Sequence, residues 1–450
     1  MYHSQNNKSI GIFGLSRTGI SAYQALCKNA TVVCYDDSQD IRGAFIGMFG
    51  SRDLADLCDQ KWHNLDKIII SPGVPRSHKI FQIASDSNIL ITSDIDILFE
   101  ENTKSKFVSI TGTNGKSTTT TLIGHIMTSN MYDYVVGGNI GVASLSLPVN
   151  KAGYVLELSS FQLELLNKFK TKIAVILNVT KDHLDRHHTM EDYIKIKESL
   201  LYRMDHDGIG VIGIDNEITK YLYEKHKNRF RLIPISAHIQ HAEGVCCFKE
   251  EIYDNFFEKT RIPMPFLQCL QGDHNRENIA ASFAVCRILG LSWKKIMAAC
   301  LTFKGLPHRM QYVGNVKNVH FYNDSKATNA DAASKSLGSL NNIYWILGGI
   351  SKEGGIDCLK PLFSHVYKAY LFGKDKMLFA DSLNDLVNYE IFDNMEEAFH
   401  AAFKDAIHNN DTINNILLAP SASSYDQFKN FEHRGQAFVE LCQQCRGKST

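Results

Sequence analysis

The stretch Gly112-Thr113-Asn114-Gly115-Lys116-Ser117-Thr118 brings together residue types that can grip a phosphate. Residues 107–110 read as a strand and residues 118–126 as a helix, so the glycines fall on the turn between them. Backbone N–H groups at a helix N-terminus point at an anion. Gly112 and Gly115 let the backbone come close, and Lys116 adds a charge that reaches terminal phosphates. Ser117 is then placed to hold Mg²⁺. The full nucleoside-triphosphate pattern has a glycine where Ile110 stands, so this is a shortened loop.

Downstream, Tyr154-Val155-Leu156-Glu157 is an apolar strand ending in an acid, the arrangement that completes a Mg²⁺ site in nucleoside-triphosphate enzymes. Before it, Gly137 to Gly141 reads as a loop that includes Asn139 and allows close backbone approach to a ligand. After it, Ser159 and Gln162 lie about one turn apart at a helix start. Residues 173–177 form another buried strand, followed by the polar cluster Asn178-Val179-Thr180-Lys181-Asp182-His183-Leu184-Asp185-Arg186-His187. Its spacing is not that of a helical zinc pair, and a harder cation fits it better. On the helix 190–201, Tyr193 and Lys197 share a face while Lys195 points elsewhere, and lysines there read by default as a solvated face. Asn275 and Asn278 open a later helix, either to cap it or to read a base.

A different turn opens the chain: a strand at 9–14 runs into Gly14-Leu15-Ser16-Arg17-Thr18-Gly19, and a second strand, 31–35, ends at Asp36. This is a Rossmann-type start with Ser16 in the place of the small second glycine of the dinucleotide fingerprint. That disfavours NAD, while Thr18 and Asp36 remain as hydrogen-bonding groups for a nucleotide's diphosphate or base. Residues 67–70 read as a buried parallel strand whose carboxyl end carries Ser71-Pro72-Gly73-Val74-Pro75, a ligand-facing edge in such sheets.

These motifs need several α/β elements to hold them. At 450 residues the chain suits about three domains of about 150 residues each. The expected fold class is α/β: a Rossmann-like domain at 1–93, a central domain of the P-loop ATPase kind with a mostly parallel sheet at 94–302, and a second Rossmann-like α/β domain at 303–450. Residues 245–261 alternate like hairpin strands at the central domain's edge. In the last domain, Leu306-Pro307-His308-Arg309 presents an arginine on a turn. Asp324-Ser325-Lys326-Ala327-Thr328-Asn329 opens a helix, Gly348-Gly349 precedes Lys352, and residues 416–418 lead to Ser424-Tyr425.

Lysine plus arginine equals aspartate plus glutamate at 48 each, so no overall field draws the chain to nucleic acid or membrane. The first residues lack the apolar core of a signal peptide and no apolar run is long enough to span a bilayer, which places the chain in the cytoplasm. The 11 cysteines lack framework spacing, as free thiols do in a reducing compartment, and Cys442 with Cys445 has no second pair for zinc.

Taken together, these residues resemble the Mur ligases, the ATP-dependent amide-forming enzymes of peptidoglycan assembly, over nearly the whole chain. The shortened loop is that family's form, and Glu157, His183, Asn275, Asn278, Arg309 and Asp324 fall on its recurrent positions in order. The segments 306–309, 324–329 and 426–435 resemble the branch that adds D-glutamate to UDP-N-acetylmuramoyl-L-alanine. The resemblance implies the following roles. ATP is held by Gly112 through Thr118, Asn275, Asn278, Arg309 and Asp324. The uridine-linked substrate is held by Leu15, Ser16, Thr18, Asp36, Ser71, Gly73, Asn139, Ser159, Gln162 and His183. D-Glutamate is held by Lys326, Thr328, Lys352, Ser424, Tyr425 and Phe431, with Tyr425 and Phe431 acting partly through backbone. Lys116, His183, Lys197 and Arg309 carry the catalysis. Two Mg²⁺ ions are implied, near Ser117, Glu157, His183 and a Lys197 carbamylated by CO₂, and this reading replaces the solvated-face reading of Lys197. The expected partners are those small molecules alone, with a monomer as the expected state. A sibling ligase, a non-catalytic nucleotide sensor and a dinucleotide dehydrogenase are the alternatives.

Overall fold

The structure, a computed structural model, describes residues 2–267, 269–270, 272–352, 354–409 and 412–447. Its contacts divide the chain into two units: residues Met1–Phe266 with Asp273–Leu301, and Leu267–Gly272 with Thr302–Thr450.

The first unit contains two sheets. The strands Ser9–Phe13, Thr31–Tyr35, Lys67–Ile70 and Leu90–Thr92 are all parallel, with Ser9–Phe13 flanked by the second and third. The chain leaves Ser9–Phe13 toward one side and returns on the other, so a crevice opens outside its carboxyl end, where α/β sheets bind ligands. Gly14 supplies the turn there with φ of 88°. A Cβ on Gly19 would stand 1.9 Å from the Gly14 carbonyl, so only glycine lets the helix Arg17–Leu26 pack this closely.

The second sheet has nine strands and repeats that logic. Lys106–Thr111 lies between Gly153–Glu157 and Thr171–Ile176, parallel to both. Residues 107–111 are buried, as expected of a central parallel strand covered on both faces. The following helix, Lys116–Ser129, buries Thr118, Thr119 and Thr120 along with Leu122, Ile123, Ile126 and Met127. It starts at Lys116 rather than Thr118, because the loop's last glycine, Gly115, is itself the N-cap in the left-handed region at φ of 84°. Val245–Phe248, Glu251–Asp254 and Thr260–Pro263 form the expected hairpin edge. One expectation is corrected: Gly137 and Gly138 are not loop residues but end an edge strand, Tyr134–Gly138, paired in parallel with Gly153–Glu157.

The second unit is built on a six-stranded sheet with only Gln311–Val316 antiparallel. Its central strands, Val319–Asn323, Asn414–Leu418 and Ile343–Gly348, release three loops at their carboxyl ends. Ile350–Ser351 pairs with Ala422–Ser423, which joins two of those loops.

Candidate functional site

The two crevices of the first unit open into one cavity of about 470 Å³, a size that suits part of a large ligand. Ser16, Thr18, Ser71 and Gly73 line it from the first sheet; Lys116, Asn139, Ser159, Gln162, His183 and Lys197 line it from the second. Arg17 spans the two, donating from Nη2 to the Gly138 carbonyl at 3.1 Å. Leu15 and Asp36 sit behind this wall. Leu15 is buried, and Asp36 accepts from the Leu15 and Ser38 N–H groups at 2.7 and 2.9 Å, so its carboxylate braces the turn.

Ser159 and Gln162 form a capping box. Ser159 Oγ accepts from the Gln162 N–H, and Gln162 Oε1 accepts from the Ser159 N–H at 3.0 Å. Their spacing therefore shapes the helix start as well as the cavity wall. Lys116 Nζ folds back onto the carbonyls of Gly112 and Thr113, both at 2.9 Å. Asn278 packs into the space left by Gly115, where a Cβ would lie 2.3 Å from its Oδ1. It donates to Asn275 Oδ1 at 3.0 Å, so the two asparagines brace one another.

Lys197 is not on a solvated face: it is 1 % exposed. Its Nζ donates to the Gly112 carbonyl at 2.9 Å and lies 4.6 Å from the centre of the Tyr193 ring. Burial, and next the charge of Lys116, hold its pKa well below the usual lysine value. Lys195, in contrast, is exposed. His183 begins a one-turn helix in the left-handed region at φ of 52° and is half-exposed. His187, from the same cluster, is buried and bonds Ser160 Oγ at 2.9 Å, with Glu164 at 3.3 Å. It anchors the segment rather than facing the cavity.

Glu157 is buried, with Oε1 accepting from Asn139 Nδ2 at 2.8 Å and Oε2 unpartnered among the described residues. A buried carboxylate oxygen without a donor fits a cation. Among the described residues no group of three or more His, Cys, Asp or Glu side chains could hold a metal.

In the second unit, Asp324 is buried and engaged through both oxygens. Oδ1 accepts from the Met310 N–H at 3.2 Å and Oδ2 from the Ser336 hydroxyl. It thereby holds the turn carrying Arg309. The three loops bring Lys326 and Thr328, Lys352, and Ser424 to one edge of the sheet. Lys326 Nζ lies 5.7 Å from the Phe431 ring centre, and Ser325 Oγ donates to the Phe431 carbonyl at 2.8 Å. The Tyr425 side chain is 72 % exposed.

Residues 110–286 match the Mur ligase middle domain, and residues 308–421 match the Mur ligase glutamate ligase domain. A UDP-N-acetylmuramoylalanine–D-glutamate ligase of Rickettsia bellii is 49 % identical over 441 residues, covering 98 % of either chain. The chain belongs to the Mur ligase family. Another relative, the UDP-N-acetylmuramoylalanine–D-glutamate ligase of Rhizobium meliloti, is 38 % identical over 452 residues, 97 % of this chain and 96 % of that one. Among solved structures, the UDP-N-acetylmuramate–alanine ligase of Thermotoga maritima aligns with a TM-score of 0.60 at 18 % identity, covering 98 % of this chain and 100 % of that one. This Mur ligase thus has the family's three-domain α/β fold.

Sequence reasoning missed several residues that position this Mur ligase's site. Arg17 lay within a quoted motif, but its reach across to Gly138 has no local signal. Arg434 is fully buried and donates to Ser325, Gly348 and Ala422, and the segment 426–435 was the only hint of it. Glu277, between the two asparagines, was not singled out, yet it is half-buried in the wall behind the phosphate loop. No helix among the described residues is long and apolar enough to cross a membrane.

Proposed function

We propose that this Mur ligase joins D-glutamate to UDP-N-acetylmuramoyl-L-alanine at the cost of ATP, releasing ADP and phosphate, as a step of peptidoglycan synthesis in the cytoplasm. The observation that carries the reading is the single cavity in which the first sheet's turn residues, Ser16, Thr18, Ser71 and Gly73, share a wall with Lys116, His183 and Lys197. A uridine-linked substrate anchored at the first turns can extend its L-alanyl carboxylate to the phosphate loop.

A carboxylate is a poor acyl donor, and ATP remedies this by converting it to an acyl phosphate. The carboxylate oxygen attacks the γ-phosphorus, the bond to the β-phosphate bridging oxygen breaks, and ADP departs. The neutral amine of D-glutamate then attacks the acyl carbon, the C–O bond to phosphate breaks with its electrons going to the phosphate, and the proton lost from the nitrogen leaves with that phosphate. No covalent enzyme group is required, so the chain's contribution is positioning and charge. The loop N–H groups and Lys116 hold the β- and γ-phosphates. Asn275, Asn278, Arg309 and Asp324 hold the rest of the nucleotide. Lys326, Thr328, Lys352, Ser424, Tyr425 and Phe431 take the two carboxylates of D-glutamate. We assign the segments 1–93, 94–302 and 303–450 to uridine-substrate, ATP and amino-acid binding respectively.

Ser117, Glu157, His183 and a carbamylated Lys197 would hold Mg²⁺, which when bound neutralises phosphate charge. The unpartnered Glu157 oxygen and the buried Lys197 amine support this. A neutral amine that adds CO₂ and releases a proton to water becomes a carbamate anion, whereas a cationic lysine would repel the ion.

ADP release tests the reading. It should require both UDP-N-acetylmuramoyl-L-alanine and D-glutamate, with L-alanine, L-lysine and L-glutamate failing as acceptors. Release with another acceptor in place of D-glutamate would reassign the chain to a sibling activity, and none under any combination would leave a nucleotide sensor.

A further inference from the structure

Asn178 follows the strand Thr171–Ile176 and lies beneath the apex of the phosphate loop. Its carbonyl accepts from the Thr113 N–H at 2.8 Å, and its Oδ1 accepts from the Asn114 N–H at 2.8 Å. Its Nδ2 faces the Asn114 carbonyl at 3.3 Å and donates to Glu277 Oε2 at 3.0 Å. One side-chain amide therefore faces both backbone polar groups of Asn114.

An amide can be turned over with little change of shape, exchanging oxygen for nitrogen. If Asn178 turned, its nitrogen would face the Asn114 N–H, donor against donor. Glu277 Oε2 accepts from the Asn178 nitrogen, and this contact leaves Oδ1 turned to the loop. The structure makes room for this acid at Gly213, where a Cβ would stand 2.5 Å from Glu277 Oε1 and 2.0 Å from the Leu177 carbonyl. Glu277 sits on the helix Asp273–Ile288 beside Asn278. Asn278 Oδ1 accepts from Thr119 Oγ1 at 3.1 Å, on the Gly115 side of the loop. Consecutive residues of one helix thus brace the loop at two points.

We propose that Glu277 is a positioning residue for the nucleotide phosphates, acting through Asn178 to fix the orientation of Asn114 in the loop that grips them. The proposal rests on the ATP-dependent reading above. Burial pushes the Glu277 carboxyl up to about 7, so an apolar replacement of similar size removes a group that the interior already disfavours as a charge. The fold should tolerate it while the loop loses its guide.

The test compares Glu277→Leu, Glu277→Gln, Asn178→Ala and the double variant Glu277→Leu/Asn178→Ala. Glu277→Leu should weaken MgATP binding, read by calorimetry, by about tenfold, the scale of one lost hydrogen bond to a charged group. It should raise KM for ATP alike, with KM for the other two substrates and the melting temperature little changed. Glu277→Gln keeps an acceptor for Asn178 and should stay within about threefold of wild type. The double variant should bind no worse than Asn178→Ala, because both act through one amide. Wild-type affinity in Glu277→Leu overturns the proposal, as do additive losses in the double variant or a rise in all three KM values with a lowered melting temperature. Calorimetry with MgATP needs no turnover, so it decides the proposal even if the wild-type protein releases no ADP with UDP-N-acetylmuramoyl-L-alanine and D-glutamate together, the result that would sink the ligase reading.

Discussion

Replacing Arg434 by methionine keeps the length of the side chain and removes every donor from the hub of the second unit. The guanidinium donates from Nε to Ser325 Oγ at 3.0 Å, from Nη2 to the Ser325 and Ala422 carbonyls at 3.0 Å each, and from Nη1 to the Gly348 carbonyl at 3.2 Å. Burial lowers its pKa to about 10, so it stays charged at neutral pH. In Arg434→Met, three buried carbonyls lose their donor, at about 1–3 kcal/mol each. Relief from burying a guanidinium offsets part of this, leaving a net loss of about 3–5 kcal/mol, the range for breaking a buried charge network. At about 2–4 °C per kcal/mol for a unit of this size, its unfolding transition should drop by about 6–20 °C. The tied loops are those of Lys326, Lys352 and Ser424, so KM for D-glutamate should rise by about tenfold or more while KM for the uridine-linked substrate holds. Calorimetric melting and initial-rate kinetics read both. A transition within about 2 °C of wild type, with D-glutamate KM within about twofold, would refute the reasoning that this one side chain holds the three loops.

The remaining expectations concern the first unit. Gly115→Ala puts a methyl 2.3 Å from Asn278 Oδ1 on a residue with φ of 84°. With about 1–2 kcal/mol of backbone strain alone, MgATP affinity should fall by about tenfold or more, and unchanged affinity would mean the loop is held otherwise. Asp94 is buried with Oδ1 unpartnered among the described residues, and burial raises its pKa from 3.8 to about 6. The folded state therefore binds this proton more tightly than the unfolded chain, and stability present below about pH 4 is lost as pH rises to about 6, then levels off. The loss is on the order of 3 kcal/mol. Asp94→Asn should lack that slope in urea titrations, and an equal slope in both proteins would show the carboxyl to be solvated. Lys197→Ala should lower turnover by roughly a hundredfold or more, the scale of one lost charge-stabilising group. Wild-type turnover, or a bare amine beside bound metal in a crystal structure, would exclude the carbamate.

What the sequence made legible is what short range determines. The phosphate strand, its glycines and the helix behind it all lie within about two dozen residues and carry local signals, an apolar run and a Gly-rich turn before Lys-Ser, although the helix begins at Lys116 and not at the expected Thr118. The turn at Gly14 and the loop after Ile70 were readable for the same reason. Tyr134–Gly138 was not, because an edge strand of five residues that ends in two glycines looks like a loop until its neighbour is known. Asp36 and Asp324 were identified as polar groups at strand ends, but their immediate partners, the Leu15 and Met310 N–H groups, are set by how the chain returns on itself. Glu277 and Arg434 were charged residues on helices, and nothing local distinguishes a buried charge from a solvated one.

Lys197 shows why tertiary context decides such cases. Both its Nζ and that of Lys116 donate to the Gly112 carbonyl, each at 2.9 Å. Two ammonium groups on one oxygen repel, and the one farther from water gives up its proton more readily. Lys116 lies in the loop, where phosphate can take it over; Lys197 is enclosed beneath it against Tyr193. The same contact therefore sets two residues of one type apart: Lys116 stands where an anion is to be gripped, and burial together with the charge of Lys116 lowers the pKa of the Lys197 behind it. Helical spacing alone put Lys197 beside Tyr193, but only the fold puts it beneath Gly112.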